Sequence, residues 1–149
     1  MSHNPDLYFM QKVLDLARGL AKETNEMPVA AMVLSPDNEI LGIGLNTREA
    51  EKSILGHAEI NAMKAASEKL KTWNLSKCKI YVSLEPCAMC AGAILQSHIQ
   101  EVIFAAYDLK AGAFGSRYNL ITNNLEVRGG ILESDAKEIL GDFFKKLRE

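Results

Sequence analysis

Cys87 and Cys90 stand three residues apart in "SLEPCAMCAG", directly behind Pro86, and they are two of the three cysteines in the chain. Residues i and i+3 of a helix project from one face. With Pro86 where that helix starts, both sulfurs fall in its first turn, near N–H groups that have no partner inside the helix. Those groups and the helix dipole favour thiolate over thiol, and thiolate is the form that binds a metal. Two thiolates leave a zinc ion two ligands short. Three histidines are available, His3, His57 and His98. His57, in "GHAEI", opens another helical stretch and offers its imidazole from a second helix N-terminus. Three protein ligands with a water in the fourth position make a catalytic zinc site, whereas four make a structural one. Glu59 follows two residues after His57, placed to handle protons on that water.

Each half of this pattern has a blander reading. A C-x-x-C alone also serves redox chemistry or a structural zinc site, and an H-x-E alone is mostly a capped helix start. No thioredoxin-type pattern precedes Cys87, and a structural site wants a fourth Cys or His. Cys78 opens a strand and reads as a core residue. His98 follows an apolar helix and reads as a surface or capping residue; His3 lies at the terminus.

The elements that must hold these residues follow from periodicity. Asn4-Pro5 is an N-cap with proline in the first helical position, and Leu7, Met10, Leu14, Ala17 and Ala21 continue a helix over roughly 5–23. Val29–Leu34 and Ile40–Leu45 read as a hairpin around "SPDN", and residues 46–56 as polar and irregular. Helical spacing resumes through Ile60, Met63, Ala66 and Leu70. Ile80–Leu84, Cys87–Gln96 and Val102–Ala106 read as strand, buried helix and parallel strand, and Leu125–Val127 as a fifth strand. Ser134 is the expected cap of a last helix that shares Ala136, Ile139, Leu140, Phe143, Phe144 and Leu147 on one face. The class is α/β: a three-layer α/β/α sandwich around a mixed five-stranded sheet.

Composition bounds the partners. The chain has 149 residues, 48% of them apolar and 24% charged, which suits one soluble domain over 1–149. A net charge of −2 argues against a generic nucleic-acid binder but leaves room for a local basic patch. No run is long enough to span a membrane and the start does not resemble a signal peptide, so the expected location is cytoplasmic.

"HAE" followed by "PCAMC" resembles the signature of the zinc-dependent nucleoside and nucleobase deaminases. The similarity extends to "EMPVAAMVL", "GLN", "HAEINAM", "YVSLEPCAMCAGAI", "YDLKAGAFGS" and "GGIL…DFFKKLRE". These resemble successive blocks of the bacterial tRNA-specific adenosine deaminases, from the first helix to the last. The resemblance implies a cytidine-deaminase-like fold, one zinc ion per chain on His57, Cys87 and Cys90, and Glu59 as proton carrier. It implies that water replaces the 6-amino group of adenosine, giving inosine and ammonia, at the wobble position of a tRNA. It also implies that Asn46, Val29 and the Ala58 backbone line the base pocket, with Asp108 near the flipped nucleotide. Lys110, Arg117, Lys145, Lys146 and Arg148 are the candidate phosphate contacts. The expected partners are a tRNA anticodon stem-loop and a second copy of the chain. Two departures stand out: Ser53-Ile54-Leu55-Gly56 replaces the Asp-Pro-Thr-Ala of many relatives, and "NLITNNLEV" is shorter and lacks their Asn-His pair. Two alternatives stay open, deamination of a free base such as guanine or cytosine, and a non-catalytic zinc-stabilised module.

Overall fold

The computed structural model describes residues 4–148, so His3 lies outside the described residues. Helix α1 (Pro5–Glu23) starts as its sequence dictates, with the Asn4 side chain accepting the Asp6 N–H at 3.0 Å. Strands β1 (Ala30–Leu34) and β2 (Ile40–Leu45) form the antiparallel hairpin. A four-residue helix, α2 (Arg48–Glu51), interrupts the stretch expected to be irregular. Next come α3 (Ala58–Leu70), β3 (Lys79–Leu84), α4 (Ala88–Ser97), β4 (Glu101–Ala106), β5 (Glu126–Arg128) and α5 (Glu133–Leu147). Ser134 is not the cap of α5: Leu132 occupies the cap position with φ 59°, Glu133 already belongs to the helix, and Ser134 lies in its first turn.

The sheet order is β2-β1-β3-β4-β5. β1 is antiparallel to β2 and β3, while β3, β4 and β5 run parallel. Alternate strand residues bury on opposite faces, which is why these strands read as nearly continuous apolar runs. Ala31, Val33, Ile80, Val82, Val102 and Phe104 pack under α3 and α4. Ala30, Met32, Leu34, Tyr81, Ile103 and Ala105 pack under α1 and α5. The result is the three-layer sandwich with helices on both faces. Among the described residues no helix is long and apolar enough to cross a membrane.

Two glycines set how closely α3 lies on the sheet. A Cβ on Gly44 would sit 2.0 Å from the Ala58 carbonyl oxygen and 2.4 Å from the Ala62 nitrogen; one on Gly42 would sit 2.3 Å from the Ala62 oxygen. The helix backbone rests directly on β2, with Ala58, Ala62 and Ala66 as its buried small residues.

The first helix is tied to the strands by a polar cluster. Asp6 accepts the Tyr81 hydroxyl at 2.6 Å and the Arg128 Nε–H at 2.8 Å. Burial alone would raise the Asp6 pKa, but these bonds and the guanidinium charge bring it below its ordinary 3.8.

Candidate active site

Strand direction gathers the site at one end of the sheet. β2, β3 and β4 end where β1 begins, because β1 alone runs against the other three. Asn46 follows β2, Val29 precedes β1, Glu85 follows β3 and Asp108 lies two residues after β4. Helices α3 and α4 both start at this end. His57 is the N-cap residue of α3 and Cys87 that of α4, so each imposes its side chain on the same space from an extended backbone. Cys90 lies one turn into α4 and is buried.

The ligand atoms of His57, Cys87 and Cys90 all lie within 4.8 Å of one another. His57 Nδ1 is 3.7 Å from Cys87 Sγ and 3.4 Å from Cys90 Sγ. Zinc bonds of about 2.3 Å to sulfur and about 2.0–2.1 Å to nitrogen at a tetrahedral angle separate N from S by about 3.6 Å. The three side chains therefore fit a tetrahedral metal ion without rearrangement. The two thiols are shifted in opposite directions. The Cys90 thiol, the N–H groups of Cys90 and Met89, and the His57 charge bring Cys87 down to about 5 against the opposing effect of burial. Cys90 is pushed far above the ordinary thiol range by its hydrogen bond to Cys87, by burial and by Glu59. Cys78 is buried elsewhere in the core and is not part of this cluster, and His98 is an exposed residue closing α4 with φ 69°.

Glu59 is 4% exposed, and burial pushes its carboxyl up to about 7, with the Cys87 charge acting in the same direction. A carboxyl in that range can both accept and return a proton near neutral pH. Beside it opens a cavity of about 180 Å³, bounded by Val29, Asn46, His57, Ala58, Glu59 and Asp108 among others. The Asn46 amide is half engaged. Its Oδ1 accepts the Arg48 N–H at 3.0 Å and its Nδ2 donates to the Met27 carbonyl at 3.2 Å. One donor and one lone pair remain for a ligand.

Of the residues singled out from sequence, the structure brings His57, Cys87, Cys90, Glu59, Asn46, Val29, Ala58 and Asp108 around this cavity. Lys110 and Arg117 sit on the exposed loop that carries Asp108, with the Arg117 guanidinium 5.7 Å from the Tyr118 ring centre. Lys145, Lys146 and Arg148 are at the end of α5, in the opposite layer. There Lys146 donates to the Ala21 carbonyl at 3.1 Å and lines a groove between α1 and α5, not the cavity. Sequence reasoning missed Arg48, Met27 and Glu85, which also line the cavity. It missed Glu26 too, whose buried carboxylate accepts the N–H groups of Glu49 and Ala50 at 3.0 and 2.7 Å and so holds α2 in place.

Comparison with known proteins places this geometry. Residues 4–148 match the model of the MafB19-like deaminase family. The chain is 37% identical over 149 residues to the tRNA-specific adenosine deaminase of Haemophilus influenzae, covering 97% of this chain and 86% of that protein. It is 39% identical over 140 residues to a tRNA(Ile)-lysidine synthase of Deinococcus deserti, but spans only 26% of that longer protein. A solved tRNA:A34 deaminase, from work on A-to-I editing at the wobble position, superposes with a TM-score of 0.81 at 31% identity. It covers 89% of this chain and 99% of its own. A guanine deaminase from Nitrosomonas europaea superposes with a TM-score of 0.79 at 26% identity, covering 96% and 86%.

Proposed function

The chain belongs to the deaminase family that contains the tRNA-specific adenosine deaminases, and from that premise we propose that it hydrolyses adenosine to inosine at the wobble position of a tRNA. The observation that carries the chemistry is a buried carboxyl, Glu59, beside a His/Cys/Cys ligand set at the wall of a base-sized cavity. His57, Cys87 and Cys90 would hold one zinc ion, which when bound would supply a water acidified to a pKa of ~7. Glu59 takes one proton from the water as its oxygen bonds to C6 and delivers that proton to N1 of adenine. It then takes the second proton from the hydroxyl on C6 and gives it to the 6-amino group, so that the C6–N bond breaks, C6=O forms, and one water is consumed for one ammonia released. Asn46 reads an edge of the purine with its free donor and lone pair, Val29 and the Ala58 backbone pack on the ring, and Asp108 stands near the flipped nucleotide.

A paired adenine cannot reach this cavity. It must be unstacked, which costs a few kcal/mol in a duplex and much less in a loop. An anticodon stem-loop is therefore the substrate, met by Arg48 at the cavity and by Lys110 and Arg117 on the loop after β4. Lys145, Lys146 and Arg148 are a weaker, more distant set. A tRNA substrate implies a cytoplasmic enzyme. A second copy covers α4, whose sequence is apolar on most sides although only one side is packed within the chain. Ile60, Met63, Trp73 and Ala93 border the open groove there, and Trp73 is 64% exposed.

The test is ammonia and inosine release by the zinc-loaded protein from a hairpin RNA with the wobble adenosine in a seven-base loop. Duplex RNA, free adenosine, guanine and cytosine run alongside. The hairpin should turn over, the duplex should not, and free adenosine should react poorly because it lacks the flanking contacts that position the base. The likeness to a guanine deaminase makes free bases the second reading. Guanine or cytosine turning over while the hairpin stays inert would establish it.

A further inference from the structure

Glu85 is a second buried acid at the cavity, 2% exposed, and neither the metal site nor the proton transfer uses it. No basic side chain pairs with it among the described residues. Its carboxylate is instead wrapped by one loop. Oε1 accepts the Asp108 N–H at 3.0 Å and the Ser116 hydroxyl; Oε2 accepts the N–H groups of Phe114 at 3.0 Å and Ser116 at 3.2 Å. Four donors satisfy a carboxylate that would otherwise be costly to bury. The loop closes so tightly on it that a Cβ on Gly112 would lie 2.3 Å from the carboxylate carbon. The same loop is fastened to the metal-ligand segment, because the Ala113 N–H donates to the Pro86 carbonyl at 2.8 Å and Gly112 pairs with Cys87.

We propose that Glu85 is a positioning residue. It fixes the Asp108 backbone, and with it the wall of the cavity that meets the flipped nucleotide, before RNA arrives. The proposal rests on the RNA reading given above. Its chemistry is specific, since all four partners are donors and only a group with acceptors on both oxygens satisfies them. In Glu85→Gln the volume is kept but one oxygen becomes an amide donor. The least costly orientation turns that NH₂ towards Ser116, whose hydroxyl can rotate to accept, and leaves the Asp108 N–H facing another N–H. The wall is then released at Asp108 while the bonds to Phe114 and the Ser116 amide persist. Preorganisation is lost and affinity falls with it.

The experiment compares wild type, Glu85→Gln and Gly112→Ala, all zinc-loaded. It measures metal content, hairpin kinetics, hairpin binding by fluorescence anisotropy, and hydrogen exchange of the 107–118 amides. Gly112→Ala keeps the carboxylate but forces the loop off it, the new Cβ also lying 2.6 Å from the Asp108 carbonyl oxygen. Both variants should raise KM and Kd for the hairpin by ~10-fold or more, and Glu85→Gln, which leaves the pairing of Gly112 with Cys87 alone, should also retain its zinc and change kcat by less than ~3-fold. Exchange should accelerate at Asp108. A purely structural role predicts lower thermal stability with KM unchanged, and that result in either folded variant would overturn the proposal. So would a fall in kcat with KM constant, or unaltered exchange across the loop. If the wild type is inert on every RNA, the deamination reading fails, whereas loop exchange still decides whether Glu85 holds Asp108.

Discussion

Replacing Gly44 by alanine adds one methyl group in a strand, and the structure says it should be among the more damaging small changes in the protein. The new Cβ would lie 2.0 Å from the Ala58 carbonyl oxygen, whereas ordinary contact begins at 3.4 Å. The obstacle is backbone, so no rotamer change relieves it. Helix α3 must withdraw from β2 by about 1 Å or more, or β2 must bend. Overpacking of this kind costs about 1–3 kcal/mol. For a chain of this size, each kcal/mol shifts Tm by about 2–4 °C. Function should suffer more than stability. His57 caps α3 and Glu59 stands in its first turn, and a displacement of about 1 Å in a catalytic constellation costs on the order of 100-fold in rate. The controls are the same substitution at Gly19 and Gly141, inside α1 and α5, where a Cβ meets nothing within 4 Å. Those should stabilise by about 0.5–1 kcal/mol, because alanine is the better helix former. The assay is thermal unfolding together with zinc content and hairpin turnover for all three variants. If Gly44→Ala matches wild type in Tm and zinc content, close packing of α3 on β2 does not position the ligand histidine.

Cys87→Ala or Cys90→Ala should lose zinc and activity together, read by metal analysis, while Cys78→Ala keeps both; the reverse pattern would replace the ligand set. Glu59→Ala should keep its zinc and lose at least ~100-fold in rate, the low end for a general acid–base residue, and undiminished turnover in the zinc-loaded variant would remove Glu59 from the mechanism. Asp6→Asn should cost about 1–3 kcal/mol near neutral pH, as for a hydrogen-bonded charged group deprived of its partners. Because the folded pKa of Asp6 is below 3.8, its contribution is complete above 3.8 and is lost as pH falls through the lower folded value. The stability gap between Asp6→Asn and wild type in denaturant titrations should therefore close on the acid side; a gap that widens there would contradict the sign.

What the sequence made legible was local. The cap at Asn4-Pro5, the hairpin around "SPDN" and the buried core position of Cys78 depend on neighbours within a turn or two, and the structure has them as read; of the two cysteines expected in the first turn of α4, Cys90 is in the helix while Cys87 is its extended N-cap. Apart from the ligand set of His57, Cys87 and Cys90, whose members announce themselves by type and by their places at helix starts, a residue that acts on another far along the chain left no signal. The short helix α2 is polar and unremarkable in sequence, and the carboxylate that caps it belongs to Glu26, more than twenty residues earlier. Gly42 and Gly44 look like weak strand residues until α3 is laid on them. Glu85 sits in "SLEP" between a strand and a cysteine, and its four donors come from residues 108–116. Even the misassigned cap of α5 has this character: Ser134 is the better capping residue by type, but the chain enters the helix through a left-handed Leu132, which becomes visible only once β5 has fixed the approach.

The convergence of the site itself follows from a single topological fact. Placing β1 antiparallel between β2 and β3 makes the ends of β2, β3 and β4 coincide with the start of β1. Every segment leaving that end, and the one entering it, then contributes one wall: Asn46, the Glu85–Cys87 turn, Asp108 and Val29. Binding outside the carboxyl ends of strands is the general habit of open α/β sheets. Here α3 and α4 also lie on one face, so their two N-termini converge and supply a histidine and a cysteine to the same point. Buried carboxylates then set the walls that strand ends alone leave loose, Glu26 for the segment bearing Arg48 and Glu85 for the segment bearing Asp108. The sheet fixes where chemistry can occur; these two acids, each satisfied entirely by backbone and hydroxyl donors, fix the shape that the substrate must match.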